Sequence, residues 1–478
     1  MYYPSFNGFP FFSNFFAHYL TTYLYGMLRD DIICALSTPQ GVGALAIIRV
    51  SGANSKDLLS PYFHSKRVNK SGFTSHVAYF GDYSIAGEHI DEVLITYFED
   101  GKSFTGEESI EISCHGSPYV QQQILAVLQQ CGCRMAEPGE FTKRAFINGK
   151  LDLSQAEAVA DLIAAQSKKA HRIALSQLKG NLSSDLKVLR ESLIAFASLI
   201  ELELDFSEED VEFADRTQLK ELVAKVLTTA EQLAASFALG NALKNGVPVA
   251  IVGAPNTGKS TLLNQLLGED RAIVSDEAGT TRDVIEETLN IDGILFRLID
   301  TAGIRETTQN IESMGIERSQ QKIKEASIVL CLADATDKAN LSETQSWSRE
   351  LSEIHPDKKV LYIINKSDLS SPNADNAIAI SARDGDGIEM LNKEMVSAVV
   401  GTLDLENDTI IANARHHEAL LKTSEALQKA ANGLEDGTTG DFIAMDIRQA
   451  MFHLGSITGD ISTDDLLGSI FSKFCIGK

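Results

Sequence analysis

The sequence is short of positive charge. It has 42 lysines and arginines against 66 aspartates and glutamates, a formal net charge of −24 over 478 residues. A chain this acidic repels a phosphate backbone, so bulk electrostatics cannot hold nucleic acid; any RNA contact needs a local basic pocket or a partner. Cysteine is scarce, six in all, which excludes a disulfide scaffold and fits a reducing compartment, hence an expected cytoplasmic protein. No run reaches the ~20 uninterrupted apolar residues of a membrane span, so no stable membrane insertion is expected. Cys131-Gly-Cys133 lacks a second pair at zinc-finger spacing, and Cys114-His115 offers too few ligands, which argues against structural zinc. Cys34 and Cys331 lie in apolar strand-like runs and read as core.

The first 26 residues contain no Lys, Arg, Asp or Glu and are rich in Phe and Tyr. They lack the basic start and small-residue cleavage site of a secretory signal, and the arginines of a mitochondrial presequence. They read as an N-terminal extension produced by a mis-called start upstream of Met27; a peripheral membrane or partner anchor is the other reading. The remaining chain, with 44% hydrophobic and 23% charged residues, is ordinary for a globular protein and long enough for several cores.

Residues 31–135 read as β-rich, with strand-like runs such as Ala44–Val50 and Glu92–Tyr97. From Leu153 to Leu239 the period becomes helical, and Gly and Pro almost vanish. Gly240–Gly246 reads as a loop bounded by glycines. Strand and helix then alternate through Val247–Val252, Thr261–Leu267, Leu295–Asp300, Ile328–Ala333, Lys359–Ile364 and Ala377–Ser381, the pattern of a parallel α/β sheet. After about residue 403 the helical period returns: Leu420, Leu427 and Leu434 recur every seven residues, and Ile443, Ile447, Met451 and Leu454 share a face. The expected fold is multidomain α/β and α. An N-terminal α+β domain covers 27–148, and a helical domain is built from two segments, 149–245 and 403–478. A Ras-like P-loop domain with a mostly parallel sheet is inserted between them at 246–402.

Gly253-Ala-Pro-Asn-Thr-Gly258-Lys259-Ser260 follows a strand and opens a helix, the context in which G-x-x-x-x-G-K-[ST] is a phosphate loop. Its backbone N–H groups, from Asn256, Thr257 and Gly258 to Thr261, curl around phosphates at the positive end of a helix. Lys259 reaches the β- and γ-phosphates and Ser260 ligates Mg²⁺. Asn365-Lys366-Ser367-Asp368 closes another apolar strand. The Asp368 carboxylate can accept from both N1–H and the exocyclic amine of guanine; adenine has no such donor pair and would leave a buried carboxylate unpaired. Ser381-Ala382-Arg383 suits the loop that backs the base, so the nucleotide is GTP. In Asp300-Thr301-Ala302-Gly303, Asp300 holds Mg²⁺ through water and the Gly303 N–H meets the γ-phosphate. Thr281, in Gly279–Asp283, is the second protein ligand of Mg²⁺.

Where many GTPases place a water-orienting glutamine after D-x-x-G, this chain has Ile304. Another group must act, with Arg305, Glu306 and Glu312 as downstream candidates. The amide oxygen of Asn256 can seat a monovalent cation beside the phosphates, the charge neutralisation that an arginine finger supplies elsewhere.

Three further stretches carry a specific likeness: Ser103-Phe-Thr-Gly-Glu-Glu-Ser-Ile-Glu111, Pro138-Gly-Glu-Phe-Thr-Lys-Arg-Ala-Phe-Ile-Asn-Gly-Lys150 with the following Leu-Asp-Leu, and the terminal Phe474-Cys475-Ile-Gly-Lys478. With the GTPase motifs, they make the chain from about Ile32 to Lys478 resemble the MnmE (TrmE) family of tRNA uridine-modifying GTPases. The resemblance implies a tetrahydrofolate site with Arg49, Glu111, Lys150 and Lys478, in a domain that also mediates constitutive homodimerisation. Arg49 and Lys150 suit an anionic folate tail; Glu111 suits the guanine-like donors of a pterin. It implies K⁺ held by Asn256, Ser275, Glu277 and Thr280, Glu312 orienting the attacking water, and G domains that meet across the dimer. Arg282 and Arg305 then stabilise the switches. It also implies an MnmG-like, FAD-dependent partner in a heterotetramer, with FAD bound by the partner alone. The pair would install aminomethyl or carboxymethylaminomethyl groups at C5 of the wobble uridine of certain tRNAs. Cys475 matches the family's terminal cysteine, as a reactive or a merely packed thiol. The acidic stretch 201–215 reads as a solvated helix end or loop. The competing class is a non-modifying regulatory switch, such as a ribosome-assembly GTPase.

Overall fold

The computed structural model describes residues 31–68, 72–205, 216–270, 287–299, 323–370, 376–400, 409–461 and 464–477. By contacts the chain divides into two compact units, Met1–Ala160 with Thr458–Lys478, and Asp161–Ile457.

The first unit is built on seven strands: β1 (Ile33–Leu36), β2 (Leu45–Ser51), β3 (Phe63–His64), β4 (Val77–Ile85), β5 (Glu88–Phe98), β6 (Ser109–His115) and β7 (Arg134–Met135). Their order is β3-β4-β5-β6-β2-β1-β7, antiparallel except for the parallel β1–β7 pair. Side chains alternate across a strand, so each strand has two fates. Ala46, Ile48 and Val50 of β2 and Ile110, Ile112 and Cys114 of β6 enter one core, with Ile124 and Leu128 of helix α1 (Pro118–Gln130) packed in the same cluster. Arg49 and Glu111 point to the other face. Helix α2 (Glu140–Ile147) sends Phe141 into a small cluster with Ile33, Ala35 and Ala136. Cys34 is core, as expected.

The C-terminal residues were expected in the helical domain. By contacts those from Thr458 onward group with the first unit. The physical reason is a separate apolar cluster: Leu153 and Ala156 of α3 (Leu153–Ala164) pack with Leu467, Ile470 and Phe471 of the last helix, Asp464–Phe471. By contacts the first unit also takes in the start of α3, up to Ala160.

The second unit contains two cores. One joins helices distant in sequence: α4 (Lys168–Leu178) leads into α5 (Asn181–Asp205), and α6 (Arg216–Ala235) is followed by α7 (Phe237–Asn245). Leu186 and Leu193 of α5 and Val223 and Val226 of α6 share a cluster with Leu420 and Leu427 from Ala414–Asp436, and with Ile443, Ile447 and Leu454 from Gly440–Thr458. The seven-residue leucine spacing thus does mark a buried face. The stretch Arg216–Asn245 is, among the described residues, the one helical segment long and apolar enough to cross a membrane by length and composition. Its apolar side chains contribute to the core clusters of this unit.

Gly240–Gly246 is not a loop. Helix α7 runs through Gly240, where an added Cβ would lie 2.2 Å from the Ile411 carbonyl oxygen. That glycine permits close packing inside a helix; only Gly246, at the helix end with φ 82°, is a stop.

The other core surrounds a six-stranded sheet of β8 (Val247–Val252), β9 (Glu287–Ile291), β10 (Ile294–Leu298), β11 (Ile328–Asp334), β12 (Lys359–Asn365) and β13 (Ala377–Ala379). The order is β13-β12-β11-β8-β10-β9, parallel throughout except for the β9–β10 hairpin. Both faces are covered, as a parallel sheet requires. Val249 and Ile251 pack with Leu262, Leu263 and Leu266 of α8 (Lys259–Asp270) on one side. Ala250, Val252, Val329 and Cys331 pack with Trp347 and Leu351 of α9 (Lys338–Ile354) on the other.

Candidate nucleotide site and a second polar face

The phosphate loop connects β8 to α8 at the carboxyl end of the sheet, where parallel α/β folds place ligands. Two glycines let it make the turn. Gly253 has φ 154°, and a Cβ there would lie 2.3 Å from the Leu332 carbonyl oxygen of β11. Gly258 has φ 93°, and its Cβ would lie 2.2 Å from Asn365 Nδ2. Asn256, a non-glycine, takes a left-handed φ of 63° and is exposed; asparagine tolerates this conformation better than most residues. The Lys259 ammonium donates to the carbonyl oxygens of Gly253 at 3.0 Å and Ala254 at 2.8 Å, lying inside the curl of the loop. Thr257 is buried, and its hydroxyl donates to the Ala254 carbonyl at 2.9 Å.

The Asn-Lys-x-Asp stretch begins at the last residue of β12. Asn365 is 3% exposed; its Nδ2 donates to the Thr257 carbonyl at 2.8 Å, and its Oδ1 accepts from the Ala382 N–H at 2.9 Å. One amide therefore fastens the phosphate loop to both later loops. The Ser381 hydroxyl touches Asp368 Oδ1 at 3.0 Å and Asp384 Oδ2 at 2.9 Å. Asp384 was not singled out from sequence. Lys366, at a left-handed φ of 65°, pairs with Asp334 at the end of β11. Burial raises the Asp334 pKa, but the Lys366 ammonium and the Thr336 hydroxyl and N–H outweigh it, holding the carboxyl below its ordinary range. Arg383 is exposed. The expected switch and metal residues Ser275, Glu277, Thr280, Thr281, Arg282, Asp300, Thr301, Ala302, Gly303, Ile304, Arg305, Glu306 and Glu312 lie outside the described residues.

The first unit presents a second polar face. Arg49 and Glu111 are directly opposite in the β2–β6 ladder. Arg49 Nε and Nη2 donate to Glu111 Oε1 at 3.1 and 2.9 Å, with the two side chains 21% and 29% exposed. The two residues expected to serve different ends of one ligand are thus partners. The guanidinium lies 5.2 Å from the Phe104 ring centroid and 5.7 Å from that of Phe141. Neither aromatic was singled out from sequence by itself. The spacing of two between Arg49 and Ser51, and between Ser109 and Glu111, is the signal that marks this face. Lys150 Nζ donates to the Gly101 carbonyl at 3.0 Å, so the loop that carries Phe104 also touches Lys150. Lys478 lies outside the described residues. Just before it, the Cys475 carbonyl accepts from the Gly139 N–H at 3.3 Å, and Ser37 Oγ donates to the Gly477 carbonyl at 3.1 Å. The Cys475 side chain is exposed.

A parallel sheet with a phosphate loop after one strand and an Asn-Lys-x-Asp loop after another defines a P-loop GTP-binding domain. The family described as the MnmE helical domain matches residues 153–475, and that described as the GTP-binding protein TrmE N-terminus matches 32–150. The chain belongs to the MnmE (TrmE) family. Curated proteins named tRNA modification GTPase MnmE are similar to it over nearly their whole length. That of Cytophaga hutchinsonii is 48% identical, over 94% of this chain and 98% of that protein. That of Flavobacterium johnsoniae is 50% identical, over 95% of this chain and 100% of that protein. That of Christiangramia forsetii is 49% identical, over 95% and 100% respectively.

Proposed function

We propose that this protein is a tRNA modification GTPase that hydrolyses GTP in a K⁺-dependent manner. With an MnmG-like FAD protein, it uses a tetrahydrofolate one-carbon unit to modify C5 of the wobble uridine of certain tRNAs in the cytoplasm. The observation that carries this reading is the Asn365 amide, which binds the phosphate loop and the Asp368 and Ala382 loops into one cradle. That cradle lies in a chain matching tRNA modification GTPases at about half its positions.

The chain's own groups divide the work. Backbone N–H groups of 256–261 and the α8 N-terminus meet the phosphates. The Lys259 ammonium, already among the loop carbonyls, turns from Gly253 and Ala254 onto the β- and γ-phosphates. Ser260, Thr281 and Asp300 would hold Mg²⁺, which would neutralise phosphate charge. Asp368 accepts from the guanine edge and is oriented by Ser381. Asn256 fits a potassium ligand: its amide oxygen is neutral and hard, and the residue, at a left-handed φ of 63°, is exposed. A potassium ion held there would supply positive charge to the phosphates. Glu312 orients the water, the role left open by Ile304. Two copies meet through their G domains when loaded.

The central G domain, 246–402, is read as an insertion in the helical domain, since segments before and after it in sequence share one core. The Arg49–Glu111 face is read as the folate site. Its carboxylate accepts from a pterin edge while the guanidinium, with Lys150 and Lys478, answers anionic charge. The −24 net charge suits a division in which the FAD partner carries much of the tRNA grip. The decisive test compares GTP turnover in KCl and NaCl, and tetrahydrofolate binding before and after Arg49→Ala. Faster turnover in KCl and binding lost in the variant are the expected results. Equal rates in both salts would remove the cation mechanism, and absence of folate binding by the wild type would remove the modification role.

A further inference from the structure

Two of the family-like stretches, Ser103–Glu111 and Pro138–Lys150, contain conspicuous polar residues with no part in the sites above. The structure joins them. Arg144 of α2 is 5% exposed. Its Nη1 donates to Glu107 Oε2 at 3.1 Å and to the Asp31 carbonyl at 3.0 Å; its Nη2 donates to Asp31 Oδ1 at 2.8 Å and Glu140 Oε1 at 3.2 Å. Glu107 Oε2 also accepts from Ser51 Oγ at 2.7 Å. Ser51 is 2.7 Å from the Thr105 hydroxyl and 3.1 Å from that of Ser109. Ser103 Oγ donates to the Glu107 carbonyl at 2.5 Å, and Asn148 Nδ2 to that of Thr105 at 2.8 Å.

This chain of bonds has a direction. Ser51 and Ser109 are opposite each other in the β2–β6 ladder, two residues along from the opposed Arg49 and Glu111. The Arg144–Glu107 pair therefore fastens the loop 101–107 onto the same sheet face that carries the Arg49–Glu111 pair. The loop holds Phe104 over the Arg49 guanidinium and offers the Gly101 carbonyl to Lys150. A buried arginine that satisfies three carboxylates is stiff, because each lost bond leaves a buried charge with a poorer partner. We propose that Arg144, acting through Glu107, is a positioning residue that sets the 101–107 loop over Arg49 and Glu111 for capture of a flat, donor-edged ligand of the reduced pterin class. This rests on the folate reading of that face.

The test uses the full-length protein and 5-formyltetrahydrofolate, a stable reduced folate, with affinity measured by titration calorimetry. Glu107→Gln keeps the side-chain shape and an acceptor for Ser51 but removes the charge that answers Arg144. It is expected to weaken binding about tenfold, the scale of one charge-assisted hydrogen bond. A double-mutant cycle with Phe104→Ala separates positioning from general loss of structure. If Glu107 acts through the loop, its substitution adds little once Phe104 is gone. Additive effects overturn the positioning role. So does wild-type affinity in Glu107→Gln when Arg49→Ala has lost binding. Should Arg49→Ala and Glu111→Gln both bind as the wild type does, the folate reading of this face fails and takes the proposal with it. Arg144→Lys, which keeps the charge but not the fork, is expected to show the same drop in affinity as Glu107→Gln; wild-type affinity in it overturns the role of Arg144.

Discussion

Asn365 Nδ2 lies 2.8 Å from the Thr257 carbonyl oxygen, and this buried contact joins the Gly253–Ser260 loop to the Asn-Lys-x-Asp loop. The same amide accepts from the Ala382 N–H. Removing it strands a buried acceptor and a buried donor, each costing about 1–3 kcal/mol when left unmade. Asn365→Ala is expected to weaken GTP binding by at least about tenfold and to lower the melting temperature. Nucleotide titration and thermal melting check both; unchanged affinity would mean that the two loops are positioned independently.

Asp368 offers acceptors where guanine offers donors. Asp368→Asn replaces one acceptor by a donor, which opposes the guanine edge and complements the extra carbonyl of xanthine. GTP affinity should fall by about 10²-fold or more and that for xanthosine triphosphate should rise. Competition between the two triphosphates for the variant reads the switch directly.

Gly258 carries a double constraint, a left-handed backbone and Asn365 Nδ2 at 2.2 Å from any Cβ. Gly258→Ala must move Asn365 or the loop, because the amide is buried and bonded on both sides. Loss of nucleotide binding larger than that of Asn365→Ala is the expected result, since both strain and the tether are affected. A variant that binds GTP normally would show that the loop can relax.

The ion pairs around Arg134 make the first unit acid-sensitive. Burial raises the Glu140 and Asp31 pKa values, yet hydrogen bonds and charge from Arg134 and Arg144 outweigh it and hold both carboxyls below their ordinary range. A depressed folded-state pKa stabilises the protein fully above the unfolded value of about 4, and that stability is lost as pH falls through the folded value. Melting temperature should therefore drop between about pH 5 and pH 2, and drop less steeply in Arg134→Gln. Parallel pH profiles for the two proteins would contradict the assignment.

Local chemistry and period settled much of this protein before any tertiary contact. The phosphate loop needs glycines at fixed spacing after a strand, so Gly253–Ser260 was legible, and alternation of strand and helix foretold the mostly parallel sheet. Leu420 and Leu427 showed their buried face through a spacing that depends only on helix geometry. What sequence could not decide was whatever depends on close approach between distant segments. Gly240 looked like a stop, but it is a place where Ile411 comes too near for a side chain. The segment from Thr458 onward had helical period yet joined the first unit, because Leu153 and Ala156 offered its apolar face a partner. Arg49 and Glu111 were visible as charges, but only the β2–β6 register made them a pair, and only the fold brought Arg144 to Glu107. Periodicity reports which side of an element is apolar; which other element covers that side is fixed by three-dimensional packing.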